Sequence, residues 1–399
     1  MRPPAHALAP LLVALLAGAL LAGCGKTSVV VIHSGNLNPV APVAPAGAAG
    51  QVTKNTTRLG GTTPIADAAA VAGATHPGMV ASQRPPAALL ISSSNLPLAL
   101  AASVLAGPPL HAPILYGKSS SLPLETEAAL AAIRPTGAAA LEDTQLIEAG
   151  GAATPRGLRA RSLPGRSDEE VAAQIVPLLE RLRGRPASAL LIVNVEEAPA
   201  FALPAAGLAA AFSAPILFAR REAIPPATRA LLATMKKAPT LYLIGPGKVL
   251  GEGLARSLSR YGRVRRIAGE TPAEEAIAVA RFSEGSFGFG VQEPGHGLIF
   301  VNAGRPLDAP AAAALSASGD FGPILLLEGQ GALPAPLSGY LEDIRGAYSA
   351  QVPPVRSLYN HGWIIGGAGS ISVIVQDEID ALLEITERQS ATPSPAYAP

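Results

Sequence analysis

The stretch RLGGTTPIADAAAVA, from Arg58 to Ala72, returns as RIAGETPAEEAIAVA from Arg266 to Ala280, with eight of fifteen positions identical. A weaker copy, RSLPGRSDEEVAAQI from Arg161 to Ile175, lies between them and needs an extra residue to align. Downstream, APIL at Ala112 recurs at Ala214, and GPIL stands at Gly322. The prolines of these motifs fall at 113, 215 and 323, steps of 102 and 108 residues. Each is followed after a short loop by Leu122-Pro123, Ile224-Pro225 or Leu333-Pro334. A period near one hundred is too long for a solenoid unit and long enough for a domain.

Within each period, short apolar runs alternate with helical stretches. The first copy has ALLIS from Ala88 and APILY from Ala112, separated by helical patterns near Ala66–Ala72, Leu98–Ala106 and Glu125–Ile133. The second has SALLIVNV, APILF and TLYLIG; the third has GLIFVNA, GPILLL and HGWIIGG. Apolar runs without alternation, joined by helices, predict parallel strands covered on both faces. Thr63-Pro64 and Thr271-Pro272 fit an N-cap followed by proline in the first helical turn. Thr271 with Glu274, and Ser167 with Glu170, have capping-box spacing.

The N-terminal segment reads differently. Arg2 leads into an apolar run from Leu11 to Leu21 and then Leu21-Ala22-Gly23-Cys24, which contains the chain's one cysteine. The run is shorter than the roughly 20 residues a spanning helix needs, and its small-residue end suits a cleavage site. The tetrapeptide resembles the bacterial lipobox. That implies a signal peptide over 1–23, a diacylglycerol on Cys24, and a place on the extracytoplasmic face of the cell envelope, held to the bilayer by lipid. A Pro/Ala/Gly stretch, PVAPVAPAGAAG from Pro39, makes 24–55 a tether whose flexible part of about 30 residues would span roughly 30 Å. Residues 389–399 are too poor in core residues to pack and read as a disordered tail.

Composition narrows the function. Thirty basic residues against 29 acidic ones leave a net charge of +1, and aromatics make up 4%. Neither the basic footprint nor the stacking surface of a nucleic-acid binder is present. No His pair has zinc-site spacing, so no metal ligand set is expected. GPGKVLGEG from Gly245 lacks the dinucleotide fingerprint spacing, so no cofactor is expected. No Gly-x-Ser-x-Gly frames a nucleophile, and no catalytic role is assigned to any residue.

The Arg-x-x-Gly start before an Ala-rich helix, the Pro-Ile-Leu strand and the closing glycine turns together resemble the cell wall binding repeat 2 family, whose copies occur in threes. The turns here are Gly150-Gly151, Ile244-Gly245 and Ile365-Gly366-Gly367. Family copies usually continue the start with Asp-Arg-Tyr; this chain has Thr63-Pro64-Ile65 there. The resemblance covers Arg58 to Ile385. It implies an α/β fold of three flavodoxin/Rossmann-like parallel-sheet modules, spanning 56–158, 159–264 and 265–388, in a pseudo-threefold ring. It also implies a noncatalytic role in binding an anionic cell-wall polymer. The Pro-Ile-Leu motifs Pro113-Ile114-Leu115, Pro215-Ile216-Leu217 and Pro323-Ile324-Leu325 are implicated in that contact. Lys118 and Arg220-Arg221 follow the first two motifs, whereas Glu328 follows the third. A solute-binding or protein-interaction lipoprotein is the alternative expectation.

Overall fold

The computed structural model describes residues 51–318, 322–349 and 352–387. The strands expected from ALLIS, APILY, SALLIVNV, APILF, TLYLIG, GLIFVNA, GPILLL and HGWIIGG all form, within a set of fourteen among the described residues. The set begins with β1 (Thr56–Leu59), β2 (Ala88–Ser92), β3 (Ile114–Gly117), β4 (Leu146–Ala149), β5 (Ala160–Ser162), β6 (Ala189–Val193) and β7 (Ile216–Phe218). Then come β8 (Thr240–Ile244), β9 (Arg263–Ile267), β10 (Gly297–Asn302), β11 (Ile324–Leu327), β12 (Ala347–Tyr348), β13 (His361–Ile365) and β14 (Thr386–Glu387). Three four-stranded sheets result, ordered β3-β2-β4-β5, β7-β6-β8-β9 and β11-β10-β13-β1, with every pairing parallel. β12 and β14 pair separately. Numbered within one module, the order is 2-1-3-4, as in flavodoxin-like sheets.

The fourth strand of each sheet comes from the next repeat. β5 opens the second repeat but completes the first sheet; β9 opens the third repeat but completes the second sheet. β1 opens the first repeat and pairs with β13 of the third. This exchange closes the three modules into a ring. Set against the expected spans 56–158, 159–264 and 265–388, each sheet takes its last strand from another repeat, and β9 straddles the second boundary.

The register also resolves the middle copy. Arg58 stands opposite Ile364 and Arg266 opposite Leu243, and Ser162 occupies the matching place opposite Glu148. Counted from Ser162, Gly165 and Ser167 align with Gly269 and Thr271 without an extra residue. Arg161, taken as the copy's first residue, is one position out of phase.

Helices begin where the caps predicted. Thr63, Ser167 and Thr271 accept from the N–H groups of Ala66, Glu170 and Glu274. The reciprocal bond of a capping box forms only at Thr271; Glu170 instead accepts from the N–H of Arg166. Three Ala-rich segments, Leu96–Ala106, Ala205–Phe212 and Asp308–Ser316, pack against one another at the centre and are almost wholly buried. Small side chains let these backbones approach. A Cβ on Gly107 would lie 1.9 Å from the Ala210 carbonyl oxygen. One hydrophobic cluster runs through this centre and the inner faces of all three sheets, and each outer face has its own smaller cluster.

The outer faces differ. After its third core strand, the second module adds a helix over Glu252–Leu258 and the third adds one over Val373–Leu383. Leu254 and Leu258, or Val375, Ile379 and Leu383, bury against those sheets. The first module has no helix in the corresponding stretch, 150–159. Among the described residues, no helix is long and apolar enough to cross a membrane.

Candidate functional site

Loops at the carboxyl ends of parallel strands are where α/β sheets place binding groups. The three Pro-Ile-Leu strands sit at equivalent sheet edges, with their side chains buried. Pro113, Ile114 and Leu115 are buried, as are Pro215, Ile216, Leu217, Pro323, Ile324 and Leu325. A fully buried apolar side chain contributes to the core, and only the turns that follow are exposed.

Those turns carry unequal charge. Lys118 is exposed, its N–H bonded to the Ser121 carbonyl, and its ammonium forms no ion pair among the described residues. In the second module, Arg220 is held by Glu196 at 2.7 Å, Arg221 lies 3.8 Å from Glu222, and the Arg221 N–H donates to Glu197. The hydrogen bond from Asn194, then the one from the Arg221 N–H, keeps the Glu197 carboxyl below its usual range. Local carboxylates therefore cancel the arginines there. Glu328 in the third module is exposed. Cys24 lies outside the described residues.

The closing glycines serve the backbone. Gly150, Gly245 and Gly366 have φ of +76°, +132° and +96°, which side-chain-bearing residues rarely adopt. GPGKVLGEG is one such turn; its Lys248 Nζ is bonded to the Glu270 carbonyl at 2.6 Å. Two repeat-opening arginines donate to such turns: Arg58 to the Gly366 carbonyl at 2.8 Å and Arg266 to that of Gly245 at 2.9 Å. Arg58 also donates to Gln376 at 2.9 Å.

The sequence reading missed four buried acids. Asp67, Glu275 and Asp308 are fully buried, and Glu148 is nearly so. Asp67 and Glu275 occupy the same place in their repeats, each accepting from the N–H six residues earlier, Gly61 at 2.6 Å and Gly269 at 2.8 Å. Burial pushes Glu275 up to about 8. Asp67 and Asp308 lie together with Arg305, which donates to both, at 3.0 Å to Asp308. Burial, then the neighbouring Asp67 charge, pushes Asp308 up to about 8; burial raises Asp67 as well. Two buried carboxyls thus face a single guanidinium. An acid nine residues after both Arg58 and Arg266 was the signal available in the sequence. Among the described residues, no group of three or more His, Cys, Asp or Glu side chains could hold a metal ion.

Fold and site together define a protein of three Rossmann-like modules closed into a ring by strand exchange. Residues 266–376 match the family model of cell wall binding domain 2, CWB2. Over that stretch, which falls in the third module, the chain is similar to CWB2 domains. Among solved structures, Cwp8 from Clostridium difficile is similar with a TM-score of 0.62 at 20% identity, over 83% of this chain and 52% of that one. Cwp6 from Clostridium difficile has a TM-score of 0.62 at 17% identity, over 83% of this chain and 48% of that one. At these identities the likeness is one of fold, and this chain spans about half the length of either structure. Comparison with curated proteins gives no match.

Proposed function

We propose that this chain is a noncatalytic cell-envelope lipoprotein, anchored through Cys24, that binds an anionic cell-wall polymer through its ring of modules. The CWB2 match over the third module carries the reading, and the repetition of that fold in the other two supports it. The polymer contact falls on the turns after the Pro-Ile-Leu strands. Lys118 offers the available cation, while Arg220 and Arg221 contribute less because Glu196, Glu197 and Glu222 oppose them.

The test is a pull-down of the protein with purified cell walls, before and after their anionic polymers are stripped. Binding should fall on stripping and weaken with salt, since screening shortens the reach of exposed charges to about 8 Å at physiological ionic strength. Lys118→Glu should weaken binding, whereas Glu196→Gln should strengthen it by releasing Arg220. Binding indifferent to stripping, to salt and to both variants defeats the polymer reading. The anchor is tested separately: Cys24→Ser should abolish lipid labelling and move the protein out of the membrane fraction.

A further inference from the structure

The second and third modules each fill one spot with a guanidinium from the chain itself. Arg266 and Arg58 lie on the borrowed strand, opposite Leu243 and Ile364, and donate to the closing-turn carbonyl. In the first module the borrowed strand brings Ser162 to that position instead. Its partner across the sheet is Glu148, where the sister modules have Leu243 and Ile364 in their outer cores. The helix that covers this face in the other two modules is also missing, because 150–159 runs as a loop. Three changes therefore coincide: an arginine lost, an acid gained and a cover removed.

A cleft of about 470 Å³ opens where these changes meet. Glu148, Ser162, Thr154, Asn95, Gly150 and Asp168 contribute to its wall. Glu148 is 9% exposed, and its Oε1 has no hydrogen-bond partner. A buried carboxylate oxygen left without a donor costs free energy, so it signals a partner from outside. Asn95 is already committed, donating to Asp168 at 2.9 Å. Arg166 stands at the rim, exposed, with its N–H on Glu170.

We infer that this cleft is a binding site for an organic cation, a primary ammonium or guanidinium group that takes the place occupied by Arg58 and Arg266 in the sister modules. The ligand donates to the free Glu148 oxygen and lies beside Ser162. Charge complements charge here, as it does when the chain supplies its own guanidinium, and the open cover provides entry. An amino sugar or an arginine- or lysine-type residue would present the required group. The inference rests on Glu148 and Ser162 rather than on Lys118 or the arginine turn, so it stands whether or not the polymer reading holds.

The experiment is calorimetric titration of the full chain with three probes: acetyl-argininamide, glucosamine and, as the neutral control, N-acetylglucosamine. Saturable binding of one or both cations, with none of the control, is expected; which cation binds more tightly separates a peptide source from a sugar source. Glu148→Gln should weaken binding at least tenfold. Ser162→Arg refills the spot from the chain and should abolish binding without lowering the melting temperature. Circular dichroism checks both folds, and Glu148→Gln alone decides the matter if Ser162→Arg does not fold. The inference is overturned by absence of saturable cation binding to the wild type, including the case in which Arg166 fills the cleft and only Arg166→Ala binds. Equal binding of the neutral control, or undiminished affinity in Glu148→Gln, overturns it as well.

Discussion

Where the second repeat's opening helix meets the first module, the buried positions are Val171 and Leu98; where the first repeat's helix meets the third module, they are Asp67 and Asp308. Asn95 and Arg305 correspond in the same way, each three residues before that Leu or Asp. One backbone arrangement is therefore filled once by apolar packing and once by two carboxyls around a guanidinium. The apolar seam is insensitive to pH and belongs to the central hydrophobic cluster. The ionic seam depends on Arg305 and on carboxyls whose pKa burial raises. Buried ion clusters add less stability than matched apolar packing, but losing one member is costly. The middle seam is intermediate: Glu275 is alone, its Oε1 unpartnered and its carboxyl pushed up to about 8.

The largest effect should come from breaking the ionic seam. Arg305→Ala leaves two buried carboxyls without their cation and should cost about 3–5 kcal/mol, read by denaturant unfolding. The loss should be greater at pH 8 than at pH 5, where protonation relieves it. Leu98→Ala tests the apolar seam, removing buried methyl groups for about 2–5 kcal/mol. Its cost should be the same at both pH values; a strong pH dependence would mean that the two seams are not the alternatives described.

The raised carboxyls have a defined sign. A group whose folded pKa exceeds its unfolded value binds more protons when folded, so stability declines as pH rises between the two. For Glu275 and Asp308 that window runs from the ordinary carboxyl range, near 4, up to about 8. Glu275→Gln should therefore flatten the decline and leave the protein more stable than wild type at pH 8, by roughly 1–3 kcal/mol. Asp308→Asn keeps an acceptor for Arg305 and leaves one carboxylate per guanidinium, so it should flatten the same profile by a smaller amount. Unchanged slopes in both variants would mean that these groups ionise freely in the folded protein.

The strands and the helix caps were legible in the sequence because apolar runs, threonine caps and prolines act locally. ALLIS, SALLIVNV and GLIFVNA became β2, β6 and β10, and Thr63, Ser167 and Thr271 cap the helices they precede. The motif Pro-Ile-Leu and its burial were visible too, since apolar runs without alternation mark parallel strands covered on both faces. Arg161, by contrast, misled. An arginine one residue away from the true register looks like the repeat's own, and only pairing with β4 shows that Ser162 holds that place.

The sequence by itself determined the three-fold repeat, the parallel α/β grammar and the caps, because these depend on residue types at short spacing and on a period of about one hundred. Only the tertiary structure decided that each sheet takes its last strand from the next repeat. It alone brought Asp67, Arg305 and Asp308 together from opposite ends of the chain, and set Glu148 beside Ser162 in an uncovered sheet. Those relations are long-range contacts in space. No local pattern encodes which neighbour a buried charge will meet, so its protonation and its partners are fixed only when the ring closes.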